Sequence, residues 1–223
     1  MEILYEDNHL IAVNKTCHDL VQKDKTGDDS LIEKIKQYLK KKYKKPGNVF
    51  LGVPHRLDRP VSGVVIFAKT SKALTRMSNK FRDGEIQKTY WAIVKQLPVK
   101  TEETLSHFIV RDTKKNKSFC FDTEVKNSKL AQLHYRVIAN SERYHLLEID
   151  LMTGRHHQIR AQLSCIGSPV KGDLKYGYPR SNPDGGISLH ACKIQFEHPV
   201  TKENITIEAP LPESDTFWKY FDL

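Results

Sequence analysis

The sequence predicts an α+β protein: a single domain over residues 1–223, built on a mixed, mostly antiparallel sheet with flanking helices. Three observations lead there. Short strand-like stretches outnumber helical ones, few of them are separated by the helical crossovers that a parallel sheet requires, and no linker, internal repeat or low-complexity tract divides the 223 residues.

Ile3–Tyr5 and Leu10–Val13 read as two short strands joined by the turn-prone Asp7-Asn8. Ser30-Leu31-Ile32-Glu33 has the spacing of a capping box and opens a helix with Ile32, Ile35 and Leu39 on one face. That helix runs into Lys40, Lys41, Lys42, Lys44 and Lys45, which suit its negative end, and stops at Pro46-Gly47. Val64–Ala68 is apolar throughout, the pattern of a strand covered on both faces. A helix follows over Ser71–Arg82 with Leu74, Met77 and Phe81 inward and Gly84 at its end, then a strand over Thr89–Val94. The polar, basic run Arg111–Ser118 predicts an exposed hairpin or loop. Leu133–Ile138 and Tyr144–Leu151 predict paired strands, the second alternating Leu147, Ile149 and Leu151 with Glu148 and Asp150. The spacing of Ile159, Leu163 and Ile166 predicts a helix from His156 to Ile166 capped by Gly167. Cys192–Glu197 and Asn204–Glu208 predict a last hairpin.

Composition narrows the function. Hydrophobic content of 39% and charged content of 28% are ordinary for a globular chain, but the formal net charge is +9. Such a charge favours a polyanionic partner, nucleic acid before an anionic membrane surface. Cys17, Cys120, Cys165 and Cys192 are far apart and form no CxxC pair, so neither a zinc ribbon nor a disulfide framework is expected, and free thiols fit a reducing compartment. The N-terminus lacks a secretion signal and no apolar run approaches the roughly 18 residues of a membrane span. A cytoplasmic monomer with no membrane contact is the expectation.

Pro54-His55-Arg56-Leu57-Asp58, then Ser62-Gly63 and the apolar run to Lys69, is the most informative segment. It puts one carboxylate in a basic, apolar neighbourhood on backbone constrained by Pro54 and by the Pro60-Val61-Ser62-Gly63 turn. Taken alone, Asp58 fits an ion pair with a neighbouring arginine as well as it fits catalysis. A second segment, Thr153 to Gly177, contains Gly154-Arg155-His156-His157-Gln158-Ile159-Arg160 and Lys171-Gly172-Asp173-Leu174-Lys175-Tyr176-Gly177, with Lys88-Thr89-Tyr90 lying between the two.

In this order and spacing these motifs resemble the RluA family of RNA pseudouridine synthases. The resemblance runs from Ile3-Leu4-Tyr5-Glu6-Asp7 and Val13-Asn14-Lys15 through Leu189-His190-Ala191 and Phe196-Glu197-His198-Pro199 to Ala209-Pro210-Leu211-Pro212. It implies a pseudouridine synthase fold with an RNA-binding cleft across the middle of the sheet, acting on ribosomal or transfer RNA. Members often carry an N-terminal S4 domain. The catalytic-domain pattern begins at residue 3 here, so no such domain is expected.

Conversion of uridine to pseudouridine breaks the N1–C1′ bond and forms a C5–C1′ bond, with no net oxidation and no incoming group, so no cofactor or metal is expected. An ionised, partly desolvated aspartate needs a close cation, and arginine suits the task because its charge is permanent and its fork bidentate. By resemblance, Asp58 is the catalytic aspartate, Tyr90 the tyrosine that stacks on the base and is a candidate for C5 proton removal, and Arg160 the arginine that pairs with Asp58. Arg56 is the arginine that fills the space of the flipped-out nucleotide. His55, Arg155 and His157 join Arg56 among the substrate-binding residues, His157 as a hydrogen-bonded histidine of the motif and His156 facing RNA or solvent. The basic segment Arg111–Lys117, with Lys114, Lys115 and Lys117 at its centre and Lys126 and Lys129 beside it, is expected to clamp the RNA backbone, with a solvated loop as the alternative. His156-His157 makes a poor metal pair, since neighbours on a helix point about 100° apart. Val61, His156 and Thr16-Cys17-His18 depart from the usual family pattern. Two other functions stay open: a non-catalytic RNA-binding ribosome-assembly factor of the same fold, and a metal-dependent phosphodiesterase.

Overall fold

A computed structural model describes residues 1–23 and 29–221. Its strands are β1 (Glu2–Glu6), β2 (Leu10–Lys15), β3 (Ser62–Ala68), β4 (Gln87–Val94), β5 (Glu102–Asp112), β6 (Lys117–Phe121), β7 (Lys129–Asn140), β8 (His145–Leu151), β9 (Leu189–Glu197) and β10 (Asn204–Glu208). The helices are α1 (Leu31–Lys42), α2 (Ser71–Asp83) and α3 (Gln158–Cys165). The strands form one sheet in the order β1-β2-β3-β9-β4-β8-β7-β5-β6, with β10 also paired to β9. Every pairing is antiparallel except β3 with β9, so the sheet is mixed as expected.

The apolar run of β3 is continuous because both of its faces are covered. Alternate residues of a strand point to opposite sides. Val64, Ile66 and Ala68 pack with Ala73 and Met77 of α2, while Val65 and Phe67 pack with Leu31, Ile35 and Leu39 of α1. The parallel contact at the middle of the sheet is short, Ser62 with His190 and Gly63 with Ala191. Gly63 has φ +116, and a Cβ there would lie 2.3 Å from the Ala191 carbonyl oxygen, so a glycine is required where β3 leaves the loop carrying Asp58. The second half of the core joins Tyr90, Ala92 and Val94 of β4, Leu133 and Tyr135 of β7 and Leu147 and Ile149 of β8 to Ile159 and Leu163 of α3.

Two local expectations are corrected. Ser30 does cap α1, but its hydroxyl bonds the Glu33 carboxylate rather than a backbone N–H, and Leu31 N–H donates to Leu20 O at 2.7 Å instead. Helix α3 begins at Gln158, not His156, because His157 sits in the left-handed region at φ 52 and serves as its N-cap. The basic stretch 111–118 is the tip of the β5–β6 hairpin, with Asn116 at φ 45 in the turn. Strand β5, eleven residues long, went unread because its buried positions Leu105, His107 and Ile109 alternate with polar neighbours and include a histidine. Among the described residues no helix is long and apolar enough to cross a membrane.

Candidate active site

Asp58 lies on the loop that enters β3, and the loop is pinned on both sides of it. The ammonium of Lys15, fully buried at the end of β2, donates to the carbonyls of Arg59 and Val61, both at 2.7 Å, and to that of Thr16 at 2.9 Å. Val61 N–H closes a turn onto the Asp58 carbonyl at 3.1 Å. Upstream, His55 Nε2 accepts from Ile66 N–H at 2.9 Å and its ring stacks on Phe81 at 4.3 Å. Burial pushes the His55 pKa down to about 3, so the ring is neutral. His55 borders the cleft, but its Nε2 is committed to holding the loop.

Helix α3 brings Arg160 to this loop. Its Nη1 donates to Asp58 Oδ2 at 3.0 Å. The expected fork is present but is directed elsewhere: Nε and Nη2 donate to Asp173 Oδ2 and Oδ1 at 2.6 and 2.9 Å. Asp173 is 1% exposed, and Asp58 27%. One guanidinium therefore bridges a fully buried carboxylate and one open to the cleft, which fixes the direction from which Asp58 is approached.

Tyr176 completes the surround. Its hydroxyl accepts from Ser118 N–H at 2.8 Å and lies 3.0 Å from His157 Nδ1, while its ring sits 5.0 Å from the Arg160 guanidinium carbon. A Tyr176 hydroxyl that donates to Nδ1 leaves the His157 proton on Nε2, which lies 3.5 Å from Asp58 Oδ2. Burial, opposed by Asp58 and reinforced by Arg160, holds the His157 pKa down to about 3. His157 is thus a neutral ring whose Nε2 faces Asp58. The left-handed backbone also stacks His156 on His157 with ring centroids 3.8 Å apart, so the helical geometry expected of the pair does not apply. His156 is partly buried, its Nδ1 2.9 Å from Ser118 Oγ, rather than free to solvent.

Tyr90 projects from β4 and is 8% exposed. Burial, together with the negative charge of Asp58, raises its pKa, so the phenol keeps its proton. A neutral phenol can stack and donate but is a weak base. Lys88, two residues earlier on the same strand, lies on the same face and also borders the cleft. It has no hydrogen-bond or ion-pair partner among the described residues, and burial lowers its pKa.

These groups line a cleft of about 560 Å³, within the range of small-ligand sites. Arg56, Arg82, Lys88, Arg111, Arg155 and Arg160 surround Asp58, the only carboxylate among the lining residues. Arg56 is exposed, with Nη1 3.4 Å from Gln22 Oε1; Arg155 is exposed, with Nε donating to Leu130 O at 2.8 Å. Lys114, Lys115 and Lys117 do not line the cleft. Lys114 and Lys115 stand out at the hairpin tip and Lys117 lies over the Tyr176 ring at 5.1 Å, while Arg111 is the hairpin residue that reaches the cleft wall.

Sequence reasoning missed Asp173, Tyr176 and Lys88, and placed Arg111 in the basic clamp rather than on the cleft wall. Nothing in the sequence marks Asp173 or Tyr176 as partners of Asp58 and Arg160, whereas the two-residue spacing of Lys88 and Tyr90 is a signal that they share a face.

The fold is that of the pseudouridylate synthase domain. The solved structure of human RNA pseudouridylate synthase domain containing 4 superposes with a TM-score of 0.81 at 22% identity, covering 98% of this chain and 90% of that one. The chain belongs to the RNA pseudouridylate synthase family, whose model matches residues 9–165. It is 33% identical to the uncharacterized RNA pseudouridine synthase YlyB of Bacillus subtilis over 96% of this chain and 70% of that protein. It is 32% identical to tRNA pseudouridine synthase C of Pectobacterium carotovorum over 94% of this chain and 58% of that protein.

Proposed function

We propose that this chain converts a uridine in structured ribosomal or transfer RNA to pseudouridine, with Asp58 as the catalytic residue. A single observation carries it: one carboxylate, open to the cleft yet anchored by Arg160, in a wall otherwise of cations and uncharged groups. The cations suit phosphates on either side of a flipped nucleotide, and the cleft volume suits a uracil and its ribose. Arg160 anchors and aims Asp58 with His157 facing it, Tyr90 supports the base while it rotates, and Arg56, exposed at the rim, fills the vacated stack. The basic hairpin tip follows the RNA backbone outside the cleft. Relatives named for ribosomal large subunit and for transfer RNA support both substrate classes. The free thiols and the cationic surface fit a cytoplasmic protein working as a monomer. A non-catalytic assembly factor would have no need of a carboxylate so placed, and the His156-His157 pair is already committed to Ser118, Tyr176 and Asp58.

The reaction balances without a co-reactant: N1–C1′ breaks, C5–C1′ forms, the C5 hydrogen leaves to water and N1 gains a proton. RNA tritiated at uridine C5 is therefore expected to release one tritium to solvent for each pseudouridine formed. Pseudouridine appearing with the label retained would contradict the chemistry, and no pseudouridine from a mixture of ribosomal and transfer RNA would remove the activity.

Tyr90→Phe keeps the ring and loses the hydroxyl, while Tyr90→Leu loses both. Because the phenol is buried and protonated, Tyr90→Phe is expected to retain more activity than Tyr90→Leu at saturating RNA. The reverse order, in single-turnover assays, would assign the hydroxyl a larger part than the ring.

A further inference from the structure

Away from the cleft, three side chains far apart in sequence converge beneath the end of α3. They are His107 on β5, Cys120 on β6 and Cys165, the last residue of the helix. A ring nitrogen of His107 and both Sγ atoms all lie within 4.8 Å of one another. The convergence follows from the fold. Cys120 pairs with Ile109 across the hairpin, His107 shares the Ile109 face two residues away, and α3 covers that face through Ala161.

We propose that His107, Cys120 and Cys165 form a binding site for a zinc-class transition-metal ion, with Asp122 as a fourth ligand. Two thiolates and an imidazole are the donor set such ions select, and zinc bond lengths place tetrahedral ligand atoms roughly 3.3–3.8 Å apart. Closing from 4.8 Å takes a small side-chain rotation, which Cys165 can make because it is exposed at a helix end. Asp122 already has Oδ1 3.6 Å from His107 Nε2.

The His107 surroundings are also suited to a ligand. Its Nδ1 faces the Gln162 amide nitrogen at 3.0 Å, which leaves Nε2 turned towards Asp122. Metal binding at Nε2 puts the ring proton on Nδ1, where it needs an acceptor. Gln162 Oε1 is buried and has no hydrogen-bond partner, and a turned amide brings that oxygen to Nδ1 at the cost of the bond from Gln162 Nε2 to Ala131 O at 3.2 Å. A dication binds both sulfurs as thiolates, and the two thiol protons leave to solvent.

The site would fasten α3, which presents Arg160 to Asp58, to the hairpin that presents Arg111 to the cleft. The sequence argued against a metal, because the cysteines have none of the short spacings of a metal motif and only strand pairing and the packing of α3 bring the three side chains together.

The test needs no RNA. The full chain is reduced, its four thiols are counted as free, and it is titrated anaerobically with Co(II) alone. The expected result is a thiolate-to-cobalt charge-transfer band with visible bands of tetrahedral cobalt, saturating at one equivalent and bleached by Zn(II). Loss of even an outer-shell partner weakens metal sites by about 10–100-fold. Cys165→Ser, at an exposed position that should not disturb folding, is therefore expected to weaken cobalt binding at least that much and to lower the charge-transfer intensity, as is His107→Gln. Cys17→Ser, outside the cluster, should leave both unchanged. Zinc should also slow amide exchange in β6 and α3 of the parent chain and not of Cys165→Ser. Absence of the band with all thiols reduced would overturn the proposal, as would a band unchanged in Cys165→Ser. A mass lower by two hydrogens through a Cys120–Cys165 disulfide, with no metal uptake on re-reduction, would overturn it in favour of a redox pair.

Discussion

Asp58→Asn should bind RNA within a few-fold of the parent protein and form no pseudouridine. The substitution is nearly isosteric, and the amide oxygen can still accept from Arg160 Nη1. Arg160 keeps its two bonds to Asp173, so the guanidinium has no reason to move. What disappears is the only negative charge among the groups lining the cleft, and with it the ability to attack or stabilise the sugar or base as N1–C1′ breaks. The change in folding stability should be small, on the order of 1 kcal/mol, because Asp58 is partly solvated and its partner stays paired. Filter binding, tritium release and denaturant unfolding on the same preparation separate these effects. Substantial turnover by the variant would remove Asp58 from the chemistry.

Replacing either member of the buried Arg160–Asp173 pair should cost both activity and stability. Removing one partner of a buried ion pair leaves the other charge desolvated and uncompensated, which destabilises by about 3–5 kcal/mol. Asp173→Ala is expected in that range by urea unfolding. Arg160→Lys keeps a charge, but a single ammonium cannot make two parallel bonds to Asp173 and a third to Asp58. Its activity should fall steeply at temperatures where it remains folded, with kcat falling more than KM rises. Asp173 touches Arg160 and does not line the cleft, so it acts as a positioning residue. If Asp173→Asn, which keeps the shape, retains full kcat, the charge on Asp173 has no part in aiming Arg160.

Much of the fold could be read because its signals are local. The unbroken apolar run of β3 announced a strand covered twice, and α1 and α2 cover it. Leu147, Ile149 and Leu151 announced β8 by alternation. Where a signal was mixed it failed: β5 buries a histidine among polar residues, and the left-handed His157 shortened α3 by redirecting the chain just before it. The site was legible in the same uneven way. Asp58, Tyr90 and Arg160 were named from motifs, and the structure brings all three to one cleft. Of the basic segment 111–117, expected from its charge to meet RNA, strand register puts Arg111 on the cleft wall and leaves Lys114, Lys115 and Lys117 off it.

The sequence by itself determined most of the strand segments, the approximate course of the helices, and that one aspartate stands in a cationic neighbourhood. Burial periodicity and turn chemistry act over a few residues, so they are written in consecutive letters. Only the tertiary structure decided who holds Asp58. Arg160 is 102 residues away, its fork belongs first to Asp173, and the Lys15 ammonium fixes the catalytic loop through carbonyls that carry no sequence mark. Such contacts depend on strand order and on the close parallel meeting of β3 with β9 at Gly63, which no run of neighbouring residues specifies.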